Sequence, residues 1–151
     1  TLINDLFVLN KFKLSLKNNL KYISNNDDSL LDGKLNIVPA NFKNSLTKRK
    51  IDLFINIASF QEMPVNEIEA YFKIIKSSKS KLYCCNREFK PLEKKYGYGG
   101  EKIYFDKYPW GNYKSIFWEI CPWYKKNYSF RPPFIIKNQY KILHCLVDYS
   151  D

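Results

Sequence analysis

Beyond Asp52, four polar side chains cluster in the stretch "IDLFINIASFQEM", residues 51 to 63. Asn56 interrupts an apolar run, and Ser59, Gln61 and Glu62 follow where that run breaks, just before Pro64. A hydroxyl and amides can hold a polar ligand by hydrogen bonds, and a carboxylate can also take up a proton. Glu62 is the only acid in this loop. A second group, Asn86, Arg87 and Glu88, follows the apolar run "KLYCC". A structural reading stands beside the chemical one, because polar side chains at a helix entry also cap backbone donors.

These residues need elements to position them. Ile51 to Ala58 is apolar apart from Asp52 and Asn56, which predicts a central parallel strand covered on both faces. Ile68, Tyr71, Phe72 and Ile75 repeat at helical spacing, with Asn66 as the expected cap and Glu69 three places on. Lys73 and Lys76 close that helix, "SSKS" ends it, and "KLYCCN" is the next strand. Residues 51 to 86 therefore predict a strand, a helix and a parallel strand. Ligands in such sheets bind beyond the carboxyl ends of the strands, which is where Ser59 to Met63 falls.

Upstream, "TLIND" reads as the end of a strand, and Leu9, Phe12, Leu16, Leu20 and Ile23 fall at helical spacing. "SNNDDSLLDG" is turn chemistry, and "KLNIVPANF" is a strand that turns at Pro39. Residues 87 to 112 read as a hairpin or inserted loop. Gly97, Gly99 and Gly100 precede no helix, so they read as a turn rather than a phosphate cradle. "KILHCLVDYS" is a last strand.

The 151 residues suffice for one domain with a core, and 45% hydrophobic and 17% aromatic content argue for a folded chain. The chain begins at Thr1 rather than Met, which reads as a fragment or a trimmed chain. No apolar run reaches the roughly 20 residues of a membrane span. The net charge of +10 comes from scattered lysines with three arginines, Arg49, Arg87 and Arg131. That pattern fits a lysine-rich proteome better than a nucleic-acid reader, which favours Arg. Cys84, Cys85, Cys121 and Cys145 have no metal-ligand spacing and read as reduced core thiols of a cytoplasmic protein.

The blocks "NDL" at 4 to 6, "IDLFINIASFQEM", "LYCCNRE" at 82 to 88, "YPW" at 108 to 110, "CPW" at 121 to 123, "RPPF" at 131 to 134 and "HCLVDY" at 144 to 149 carry a resemblance. The chain resembles the C-terminal portion of the bacterial sugar O-methyltransferase family, within the class I S-adenosylmethionine-dependent methyltransferases. The resemblance implies an α/β, Rossmann-like sheet, mostly parallel with an antiparallel last strand. It implies a single partial domain over 1–151, loop-rich over 86–134, lacking the first strand and glycine-rich loop. Such a piece would be inactive or fold poorly alone.

The same resemblance implies S-adenosyl-L-methionine as cofactor and a sugar, glycan or nucleotide-sugar acceptor in surface polysaccharide synthesis. Asp5 would hold the cofactor ribose, Asn41 would face the adenine where many members place an Asp, and Phe42 would stack on it. Asn56 and Ser59 would also border the cofactor, while Gln61, Asn86, Arg87 and Glu88 would line the acceptor side. Glu62 is the first candidate for the base that takes the hydroxyl proton. His144 is the second, since imidazole exchanges protons near neutral pH, although a lone strand histidine also fits a structural role. Arg87 would bind a phosphate or carboxylate, or pair with Glu88 or Glu62. Trp110, Trp118 and Trp123 would stack on sugar rings or pack internally. The alternatives are the same fold with a non-sugar acceptor, such as a metabolite or RNA, and a non-catalytic basic nucleic-acid-binding module. A binding module would gather lysines and aromatics on one face; an enzyme would gather Ser59, Gln61, Glu62 and Asn86 in one cleft.

Overall fold

The first strand stands where helical spacing pointed to a helix. Leu20–Tyr22 (β1) pairs in parallel with Leu35–Ile37 (β2), and the Ile23 amide extends the pairing to the Ile37 carbonyl at 2.9 Å. Pairing with a partner strand outweighs the local periodicity here. Between them, Asp28 accepts hydrogen bonds from the Ser24 amide and hydroxyl, which hold its carboxyl below the usual range. Gly33, at φ +67, supplies the left-handed residue of the following turn. After Pro39 the chain forms a 3-10 segment, Ala40–Lys48, kinked at Phe42. The computed structural model describes residues 20–89, 103–122, 126–128, 132, 135–137 and 141–150. Two units, Thr1–Arg49 and Lys50–Asp151, are each described by themselves.

The second unit contains the expected strand–helix–strand. Leu53–Ile57 (β3) leads to the helix Val65–Ser77 (α1), and Lys81–Arg87 (β4) runs parallel to β3. On α1, Ile68, Phe72, Ile74 and Ile75 are buried and Tyr71 is partly so, as the apolar stripe requires. The helix begins earlier than expected. Pro64 occupies the cap position, and its carbonyl accepts the Glu67 and Ile68 amides at 3.1 and 3.2 Å. Asn66 thus lies inside the first turn rather than capping it, because proline already presets the entry backbone. At the far end, the Ser78 hydroxyl donates to the Ile74 carbonyl at 2.7 Å, and Lys79 turns the chain at φ 50.

Lys114–Ile120 (β5) and Ile142–Asp148 (β8) complete a four-stranded sheet in the order β3-β4-β8-β5. Lys126–Tyr128 (β6) and Ile135–Lys137 (β7) form a separate antiparallel pair. In the main sheet β8 is antiparallel to both neighbours, so β3, β4 and β5 share one direction and the last strand opposes them. This is a mixed α/β unit. Its core lies where α1 packs on Leu82 and Cys84 of β4 and on Cys145 and Val147 of β8. The "YPW" corner caps the core. Trp110 meets Phe72 edge-on at 5.1 Å, its indole donates to the Phe105 carbonyl at 2.8 Å, and the Tyr149 hydroxyl donates to the Trp110 carbonyl at 3.0 Å.

A further expectation needs correction. β3 is not a central strand covered on both sides: it is the edge of the described sheet, and Leu53, Ile55 and Ile57 are exposed. Strands alternate faces, so only Phe54 and Asn56 turn toward α1. An all-apolar run cannot by itself report which face is covered. Asp5, Leu9 to Leu16, Gly97, Gly99, Gly100, Trp123 and Arg131 lie outside the described residues.

All four thiols are free and buried. Burial pushes the Cys84 thiol well up, Cys85 from an ordinary 9.0 to about 11, and Cys145 to about 12. The folded chain therefore keeps protons that the unfolded chain releases near pH 9.0. Stability is full below that value and falls as the pH rises through about 11 and 12. We expect urea midpoints, measured at constant ionic strength, to drop steadily above pH 9.0, and Cys145→Ala to flatten the drop. A midpoint independent of alkaline pH contradicts this.

Candidate functional site

The carboxyl ends of β3 and β4 are joined by side-chain amides as well as by the backbone ladder. Asn56 Oδ1 accepts the Asn86 Nδ2 proton at 2.9 Å and the Phe60 amide at 3.2 Å. Asn86 Oδ1 accepts the Gln61 amide at 3.4 Å, and Gln61 Oε1 accepts the Arg87 amide at 2.8 Å. Gln61 Nε2 then donates to Glu62 Oε1 at 3.1 Å. Asn56, Gln61 and Asn86 are all buried, so each of these bonds offsets a desolvated amide.

The backbone makes a sharp departure at this point. Ala58 adopts φ 53, a left-handed conformation unfavourable for a residue with a Cβ, while its amide still reaches the Cys85 carbonyl at 2.8 Å. The chain then turns through a short 3-10 segment, Phe60–Glu62, with Ser59 at its cap position. The Ser59 side chain makes no cap hydrogen bond, so the capping role anticipated for this loop falls to Asn56. Phe60 anchors the turn in the core, 5.6 Å from the Phe72 ring and 5.9 Å from that of Tyr108. Glu62 is exposed at the loop surface. Burial first, then the Cys84 and Glu62 charges, drive the Tyr108 phenol above its ordinary value.

The expected site residues thus divide. Asn56, Ser59, Gln61, Glu62 and the Asn86 amide come together. Arg87 joins through its backbone only; its side chain alternates to the opposite face and is exposed. Glu88 lies one residue past β4, where it lines a cleft of about 520 Å³ with Phe89, Tyr104, Asp106 and Leu143. Asn41 and Phe42 belong to the first unit's 3-10 segment, and Asp5 is outside the described residues.

His144 is placed apart from Glu62. It projects from β8 on the sheet face opposite Cys84 and Cys145. Its Nδ1 lies 3.3 Å from the Tyr83 hydroxyl and its Nε2 lies 3.1 Å from Glu119 Oε1. The Phe117 ring covers it at 5.0 Å. Trp110 and Trp118 pack rather than present stacking faces: Trp110 is buried, and the two rings meet at 4.8 Å.

Among the described residues, no group of three His, Cys, Asp or Glu side chains is placed to hold a metal. Sequence reasoning missed Ala58, Tyr83, Glu119 and Asp106. Nothing in an alanine signals a positive φ, and the other three join their partners only through strand register or chain return.

The amide network yields a specific expectation. Asn86→Ala leaves Asn56 Oδ1 and the Gln61 amide each short of a partner, so unfolding free energy should fall by about 2–4 kcal/mol. Urea denaturation measures it. A loss under about 0.5 kcal/mol would show that water replaces the network at little cost.

Comparison with protein-family models, with curated proteins and with solved structures returned no match.

Proposed function

We propose that this chain carries the acceptor side of an S-adenosylmethionine-dependent O-methyltransferase that acts on a sugar hydroxyl. One observation carries the reading most: β3 and β4 run parallel, with the last strand, β8, inserted antiparallel between β4 and β5. That order supports a Rossmann-like methyltransferase sheet and sets the Ser59–Glu62 loop beside Asn86 at neighbouring carboxyl ends. The reading also requires a further parallel strand on the β3 edge, and that edge is unpaired among the described residues.

The bound cofactor would supply an activated methyl group on a sulfonium. The chain's own residues have narrower tasks. Gln61 holds one Glu62 oxygen, and the Glu62 carboxylate takes the acceptor's hydroxyl proton as its oxygen attacks. Asn56 and Asn86 keep the loop in place, so their effect on the reaction is through position. Ser59 borders the cofactor side in this reading. The basic-module alternative is less well supported: Phe72, Phe105, Tyr108 and Trp110 are buried together, rather than spread over a surface. No helix is long and apolar enough to cross a membrane among the described residues.

Glu62→Gln preserves the loop shape and removes the proton acceptor. In the protein with any sequence its gene places upstream of Thr1, kcat should fall by about 10²–10⁴ with KM little changed. The thermal midpoint should stay within about 1 °C, since Glu62 is exposed. A stable, cofactor-binding variant with full kcat would remove Glu62 from the mechanism.

A further inference from the structure

The cleft beyond β4 has walls that the fold builds firmly. Phe105 is fully buried, and its amide donates to the Glu88 carbonyl at 2.9 Å. The Glu88 amide in turn donates to the Lys141 carbonyl at 2.8 Å, continuing the β4–β8 ladder. Phe89 and Tyr104 bridge as an antiparallel pair, with ring centroids 6.0 Å apart. Tyr104 and Asp106 flank Phe105 in sequence, so the anchored ring fixes the wall that carries them. The volume of about 520 Å³ falls in the range of small-molecule sites.

The lining offers two carboxylates, Glu88 and Asp106, two aromatic rings and Leu143, and no cationic side chain among the described lining residues. This contrasts with a net charge of +10 for the whole chain. Lys107 approaches Asp106 at 3.5 Å, but both are well exposed, so water screens that pair. A carboxylate accepts two hydroxyl protons at once, and an aromatic face suits the C–H side of a pyranose ring. A phosphate in the same place would meet two like charges.

We propose that this cleft is a saccharide subsite that takes an uncharged ring with vicinal hydroxyls and rejects a phosphorylated one. The proposal rests on the acceptor reading above for what becomes of the bound hydroxyl, though not for the cleft's selectivity. It narrows the acceptor from sugars in general to those whose bound ring carries no phosphate. It also assigns Arg87, whose side chain points to the other sheet face, no part in anion capture here.

The test is an amide-resolved NMR titration of the protein at constant ionic strength, with methyl β-glucopyranoside and glucose 6-phosphate as probes. The neutral glycoside should shift the Phe89, Tyr104 and Asp106 signals saturably, and the phosphate ester should bind at least about tenfold more weakly. Glu88→Gln and Asp106→Asn, checked for unchanged urea midpoints, should weaken the glycoside about fivefold and narrow the discrimination to about threefold or less. Absence of saturable glycoside shifts, or equal binding of the phosphate ester, overturns the subsite. Methyl transfer measured alongside separates the two claims. Glycoside binding without any S-adenosylmethionine-dependent methylation defeats the methyltransferase reading and leaves the subsite. Methylation with no shifts at the cleft defeats the subsite alone.

Discussion

The 2.9 Å bond from Asn86 to Asn56 is the constraint on which the rest of the second unit depends. In open α/β sheets ligands bind in the crevice beyond the carboxyl ends of the strands. Here two buried amides join the ends of β3 and β4 and pass the pairing on to the loop that follows. Leaving such a group without a partner costs about 1–3 kcal/mol, against about 5–15 kcal/mol for a whole domain. What these amides add is the position they impose on the loop. Apolar residues of similar size would fill the space without holding Phe60 and Gln61 in register.

Phe60 transmits that position to the core. Its amide belongs to the network and its ring belongs to the aromatic cluster with Phe72 and Tyr108. The "YPW" corner presses on the same cluster from the other side, through Trp110 on Phe72 and Tyr149 on the Trp110 carbonyl. The loop is thus bonded below and packed behind, and the strained Ala58 backbone persists because both neighbours hold it. Glu62 stands at the exposed end of this support, with one oxygen accepting from Gln61 Nε2; under the proposed function that bond would orient the carboxylate before the acceptor binds.

Much of this was legible in the chain. The run from Ile51, the stripe Ile68–Phe72–Ile75 and the strand "KLYCCN" reported β3, α1 and β4 because their periodicities are local and strong. The buried Asn56 was noticed but not its partner, since the bond spans 30 residues and no spacing rule reaches that far. Two-sided burial of β3 was misread because isoleucine and leucine look alike to the sequence whether they face a helix or water. Leu20–Tyr22 became a strand through pairing with Leu35–Ile37, a tertiary choice hidden from a helical repeat. The sequence presents His144 both as a second base candidate and as a lone strand histidine, and only register reveals Tyr83 and Glu119 beside it.

The proposed function requires the polar strand ends to form part of a cofactor and acceptor site. Calorimetric titration of S-adenosylmethionine into the folded protein, with any upstream sequence its gene encodes, decides this. Saturable one-to-one binding is expected, with an affinity constant of about 10⁴ M⁻¹ or stronger, worth at least about 5.5 kcal/mol. A protein that unfolds cooperatively in urea yet gives no binding heat with millimolar cofactor would contradict it.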